Sequence, residues 1–323
     1  MKVCKALIAA LAAVYVVFLS YGAGAVEKKV VLSQAFQSLL YLSVYVGQSE
    51  GFFEQQNIAL VIETAGSPAV ALSAVISGSA QFSIHGPEWT AIAASKGAPV
   101  FVVSSIVSGV PVWMAAPPDV KVSSIKDLRG LKIVTGQMPT TSTSLLMNLM
   151  RANGLDPRKD VELMEVPLGS EPGPLLSGQG NAGVMYEPAL EQVVSRGMKV
   201  VLSFPELYGS YAFGTLTSRT DVDPETIQQM VNALEVSFRF MHKYPAQAVE
   251  VAKKQFPALD PAVVEAAVNR MLKDGAYPIS VDITPEAFGA SMNTQLALGN
   301  LSAAPDFDKF VGRKYMARAM AIP

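Results

Sequence analysis

The sequence predicts an α/β protein of two similar lobes, and three observations carry that expectation. A stretch at 76–104, ISGSAQFSIHGPEWTAIAASKGAPVFVVS, has a counterpart about one hundred residues later at 176–203, LSGQGNAGVMYEPALEQVVSRGMKVVLS. Each reads as a Ser-Gly pair, an apolar strand, a Pro-opened helix, a basic residue with Gly, and a second apolar strand: a β-loop-α-β unit used twice. Two copies are too few for a solenoid, and 323 residues, half of them apolar, suffice for two full-sized cores.

The first residues read as an export signal. Lys2 and Lys5 give a positive start, 6–19 is uncharged and apolar, and Ala23-Gly24-Ala25 supplies small residues for cleavage, leaving Val26 first. The apolar run falls short of the roughly 18–20 residues that span a bilayer. Cys4, the only cysteine, lies within this signal, so the exported chain is expected to fold without disulfides. Without Lys2 and Lys5 it carries 23 basic and 27 acidic residues, a balance of −4 with no basic patch for nucleic acid.

Taken in order, VVLS at 30–33 reads as the first strand and 36–46 as the helix after it. IALVIET at 58–64 alternates and is β-branched, so it reads as a strand. Gly66 and Ser67 then lead into a helix from 69 to about 76, opened by Pro68. The Ser67 hydroxyl can cap that helix, contact a ligand, or do both. The Val-rich segment 102–116 reads as one strand crossing between lobes, and 204–218 as a second. Between them the pattern repeats: a strand ending at Gly136-Gln137, a helix opened by Thr140, Thr141, Ser142 and Thr143, a strand at 160–167, and the second β-loop-α-β unit. One hydroxyl suffices to cap a helix, so the surplus at 140–143 is read as aimed at a polar or anionic ligand. Asp223, Asp260 and Thr284, each followed by Pro, mark three later helices. The first of these carries Ile227, Met230, Val231, Leu234, Phe238 and Met241 on one face, a core stripe.

The loops that follow the strands are where open α/β sheets gather ligands. They hold His85-Gly86 in the first half and Tyr186-Glu187 in the second. His85 is read as a ligand contact. Glu88 is read as a dipole-favoured residue at a helix start, while Glu187 is left open between that role and ligand binding. There is no Cys or His cluster of metal-ligand spacing, no phosphate loop and no dinucleotide fingerprint, so neither metal nor cofactor is expected.

The phrases SGSAQFSIHG, SSIKDLRGLKIVTG, ANGLDP and SGQGNAGVMYEPAL resemble the substrate-binding proteins of ABC importers, in particular the sulfonate/nitrate/taurine type, which also resembles binders of thiamine-pyrimidine precursors. The resemblance covers nearly all of the exported chain. It implies a type II periplasmic binding fold with two crossing strands as hinge, lobe one at 26–112 plus 214–323 and lobe two at 113–213. It further implies a monomeric periplasmic receptor that closes on one small solute and hands it to a membrane permease, without catalysis. Transferred by motif, the cleft is expected to be lined by Gln37, Ser38, Gly66, Ser67, His85, Gly86, Gln137, Thr140, Thr141, Ser142, Thr143, Tyr186 and Glu187.

The leading solute class is a sulfonate, nitrate, taurine or similar anion. No Arg or Lys stands in those loops, however, and Glu187 suits an amino-bearing ring stacked on Tyr186, Trp89 or Trp113, so a pyrimidine or aromatic precursor is the alternative. An enzyme of pyrimidine synthesis on this scaffold is the remaining one. The Cys-bearing motif that it calls for is missing from the expected exported chain.

Overall fold

The computed structural model describes residues 28–138 and 140–323; the expected export signal lies outside them. The first half runs β1 (Lys28–Gln34), α1 (Leu42–Ser49), β2 (Ile58–Thr64), α2 (Pro68–Ser77), β3 (Phe82–His85), α3 (Pro87–Ser95) and β4 (Val100–Ser108). The second runs β5 (Trp113–Ala116), β6 (Lys132–Gly136), α4 (Thr141–Ala152), β7 (Glu162–Val166), α5 (Pro172–Leu176), β8 (Ala182–Met185), α6 (Ala189–Val194) and β9 (Lys199–Ser203). Then come α7 (Phe204–Tyr208), β10 (Ala212–Arg219), α8 (Pro224–Lys243), α9 (Pro245–Gln255), α10 (Pro261–Lys273), α11 (Pro285–Leu298), α12 (Phe307–Phe310) and α13 (Arg313–Met320).

Two five-stranded mixed sheets result, ordered β2-β1-β3-β10-β4 and β7-β6-β8-β5-β9. In each, three parallel strands are followed by an antiparallel one that reaches the sheet across the lobe boundary: β10 pairs antiparallel with β3 and β4, and β5 with β8 and β9. The central strands β3 (FSIH) and β8 (AGVM) are buried throughout, as strands covered on both faces must be. The expected two-lobed α/β fold is the fold observed.

Both crossings differ from the single strands expected. The first breaks between Ser108 and Trp113, where Gly109 adopts φ +63°, so one Val-rich run serves two sheets. The second begins as α7, ends at Gly209 with φ +63°, and only then enters β10. The two lie side by side: the Phe204 N–H donates to the Val112 carbonyl at 3.1 Å, and Ala212 stands opposite Ser108.

The helical portion after β10 matches its sequence signals. Asp223, Asp260 and Thr284 each accept a backbone N–H at the start of α8, α10 and α11. The α8 stripe from Ile227 to Met241 is buried as anticipated.

Candidate functional site

The loops leaving β1, β3, β6 and β8 meet between the lobes. At their centre a cavity of about 30 Å³ is lined by Phe36, Pro68, His85, Gly86, Thr140, Thr141, Leu168, Tyr186 and Phe213, among others. A larger space of about 520 Å³ opens beside it, lined by Phe36, Gln37, Ser38, Tyr186, Glu187, Gln192 and the 255–259 turn. Phe36 and Tyr186 belong to both spaces, with ring centroids 5.9 Å apart and planes inclined by 23°. Phe213 meets the Tyr186 ring edge-on at 5.8 Å. An aromatic partition of this kind presents flat apolar faces to a ring-shaped guest.

Eight of the thirteen residues expected in the cleft line these two spaces: Gln37, Ser38, His85, Gly86, Thr140, Thr141, Tyr186 and Glu187. The other five stand outside both linings. Ser67 accepts the Val70 N–H and caps α2, and Gly66 before it is exposed. Gln137 is exposed beyond the end of β6. The Ser142 N–H donates to the Tyr186 hydroxyl at 2.9 Å, and Thr143 donates to the Gly136 carbonyl at 2.6 Å. The hydroxyl-rich start of α4 is therefore largely occupied by the protein itself. Of the other aromatics considered, Trp113 is buried with its indole N–H on Asp274 at 3.2 Å, and Trp89 packs in a separate cluster around Leu72 and Val75.

His85 has both ring nitrogens engaged. Nδ1 lies 3.0 Å from the Gly86 carbonyl, which can only accept, so Nδ1 carries the proton and Nε2 accepts from Ser83 Oγ at 2.9 Å. Burial pushes its pKa down to about 4, leaving a neutral ring at physiological pH.

Three buried carboxylates flank the partition. Glu187 Oε1 accepts from Arg270 Nε at 2.9 Å, its Oε2 accepts the Glu191 N–H, and Arg270 Nη2 reaches Glu191 Oε2 at 2.7 Å. Burial raises the Glu187 pKa, opposed by that N–H and the guanidinium. Glu88 Oε1 accepts from Thr141 Oγ1 at 2.8 Å across the lobe boundary, while its Oε2 has no partner. Glu171, next to α5, has no partner at either oxygen, and burial pushes it up to about 7. Among the described residues, no lysine or arginine lines either space.

A model of the family described as NMT1/THI5 like matches residues 41–248, more than half of the chain. The chain belongs to the NMT1/THI5-like family. Two relatives align over most of their length: a putative binding protein YtlA of Bacillus subtilis (22% identical, 77% of each chain) and a putative thiamine biosynthesis protein of Haemophilus influenzae (23%, 80% of this chain and 81% of that one). Among solved structures, the alkanesulfonate-binding protein SsuA of Xanthomonas axonopodis pv. citri superposes with TM-score 0.69 (17% identical, 90% of this chain and 97% of that one). The periplasmic nitrate-binding protein NrtA of Synechocystis PCC 6803 gives 0.72 (13%, 94% and 91%). The desulfurization enzyme DSZB gives 0.67 (11%, 91% and 99%). At these identities the structures establish a shared two-lobed fold, and the fold alone.

Within this NMT1/THI5-like chain several cleft residues escape sequence reasoning. Phe36 and Phe213 resemble ordinary core aromatics, and Arg270 comes from a helix 83 residues beyond Glu187. Glu88 carried a signal, its place in a Pro-opened helix start inside the repeat, but that signal fits a dipole partner equally well.

Proposed function

We propose that this chain is the exported solute receptor of an ABC importer, and that its solute is a small amino-bearing aromatic ring, such as an aminopyrimidine, rather than a sulfonate or nitrate. The carrying observation is the cleft's charge pattern: an aromatic partition flanked by partly unpaired carboxylates, with no cationic side chain among the described residues of either lining. Arg270, which approaches from the edge, has its charge engaged by two carboxylates. An anion held against that pattern would lack a counter-charge in a dry site, whereas a stacked ring with N–H donors complements it. The Ser142 N–H, which an anion could have used, already donates to Tyr186.

The reading is of a receptor without catalysis. His85 has no free nitrogen to act as a base, and its low pKa keeps it from donating as an acid near neutrality. The H. influenzae relative's name joins this branch to thiamine biosynthesis, which agrees with a pyrimidine solute.

Thermal-shift screening followed by calorimetry tests the reading, with nitrate, taurine, alkanesulfonates, aromatic carboxylates and aminopyrimidines as the panel. An aminopyrimidine at a hundredfold excess over its Kd should stabilise the protein by about 2.7 kcal/mol. Saturable binding of nitrate or a sulfonate, with none of the pyrimidines, overturns the solute class.

A further inference from the structure

Three buried polar atoms lack partners at one place on the lobe boundary: Glu88 Oε2, the Tyr211 hydroxyl and Ser291 Oγ. Their residues are 4%, 2% and 0% exposed. They come from three parts of the chain, α3, the second crossing and α11, and α11 packs on α3, α4 and β10. The Tyr211 hydroxyl stands close enough to the Ser291 and Thr294 side chains that both oppose the burial-driven rise in its pKa, although neither contact reaches hydrogen-bond geometry, and the Glu88 carboxylate acts on it from nearby. Most buried side-chain polar atoms of native proteins have a partner, so three unpartnered ones on one boundary call for an explanation.

Of the three residues, Glu88 adjoins the central cavity. Glu88 folds back over Gly86, a cavity-lining residue, so closely that a Cβ on Gly86 would collide with its carboxylate. Glu88's one partner, Thr141, belongs to the opposite lobe and also lines the cavity. That bond spans the two lobes and uses Oε1 alone. With Oε1 engaged, Oε2 is the oxygen left for a guest. A carboxylate only accepts, and both hydroxyl oxygens can accept, so the complementary guest is a group carrying several N–H donors.

We propose that Glu88, Tyr211 and Ser291 form the subsite that takes the solute's amino group, which donates to Glu88 Oε2 and to the hydroxyl oxygens. The assignment rests on the solute class proposed above and names the residues that would read it.

The test is calorimetry on the full exported chain with 4-amino-2-methylpyrimidine and with 2,4-dimethylpyrimidine, in which a methyl replaces the amino group. The wild-type protein should favour the amino compound at least tenfold. Glu88→Gln, Tyr211→Phe and Ser291→Ala should each weaken the amino compound severalfold and leave the dimethyl compound nearly unchanged, so that the preference shrinks. Tyr211→Phe and Ser291→Ala retain packing, and they answer the question if Glu88→Gln does not fold. Amino-compound binding that all folded variants leave unchanged overturns the subsite alone, with the solute class intact; so does an equal loss for both compounds. A wild-type protein that binds neither pyrimidine overturns both.

Discussion

Glu88, Glu171 and Glu187 are all buried, yet they differ in what surrounds them, and their stability effects should differ accordingly. Glu171 is the simplest because neither oxygen has a partner. Its pKa of about 7 in the fold exceeds the ordinary carboxyl value, so the folded chain holds a proton that the unfolded chain has released between about pH 4.5 and 7. Stability is thus lost as pH rises through that window, by up to about 3 kcal/mol at pH 8. Glu171→Gln should recover much of that loss in urea unfolding at pH 8 and change little at pH 4.5; an equal effect at both pH values would refute ionisation as the cause. His85 works in the opposite sense. Its folded pKa of about 4 lies below the unfolded value near 6.5, so its contribution is lost as pH falls from about 6.5 to 4. His85→Gln should flatten the acid limb of the stability profile over that window, and a profile parallel to the wild type's would show that other groups set the limb. His85 and Tyr186 were legible as cleft residues from their place in the repeat. The unpaired state of Glu171 was not, because it depends on which distant groups fail to arrive.

Among the elements, helix starts were the most readable, since a cap and its helix lie within a few residues of each other. The caps at Ser67, Asp223, Asp260 and Thr284 all stand where Pro and a short polar residue placed them. The α4 start shows where such local reading stops. Its hydroxyls looked surplus, but Thr143 bonds back to Gly136 and the Ser142 N–H is met by Tyr186 from 44 residues away. The crossings were misread for a related reason: apolar strands in one sheet or two have the same composition, and only the turn at Gly109 separates them. The Tyr186 contact makes a test at this scale. Tyr186→Phe keeps the face stacked on Phe36 and deletes the oxygen that serves the Ser142 N–H, so it should cost about 1–2 kcal/mol of stability while sparing affinity for an aromatic solute. Tyr186→Ala removes the partition as well and should abolish binding. Calorimetry and thermal melts on the pair separate the roles; loss of binding in Tyr186→Phe would instead make the hydroxyl a ligand contact.

At the scale of the whole molecule, few side-chain hydrogen bonds among the described residues join the two lobes: Ser38 to the Glu187 carbonyl, Thr141 to Glu88, Trp113 to Asp274, and Arg270 to Glu187 and Glu191. Arg270 is the strongest of these ties because one guanidinium holds two carboxylates, one of them fully buried. Arg270→Ala leaves those two carboxylates together without a counter-charge, a change worth several kcal/mol when the pair is dry and somewhat less here, since Arg270 is partly exposed. The cost falls on the arrangement shown and is relieved if the lobes separate about the two crossings, where water can reach both acids. Small-angle scattering of unliganded Arg270→Ala should therefore give a larger radius of gyration than the wild type, with solute affinity reduced at least tenfold because binding must first restore closure. Adding Glu187→Gln and Glu191→Gln to Arg270→Ala removes the repulsion but not the lost tie, so the triple variant should lie between the two in both measurements. If Arg270→Ala instead scatters and binds as the wild type does, the cleft is kept closed by the Phe36–Tyr186 stack and the surrounding apolar contacts, and the ion cluster only tolerates that closure.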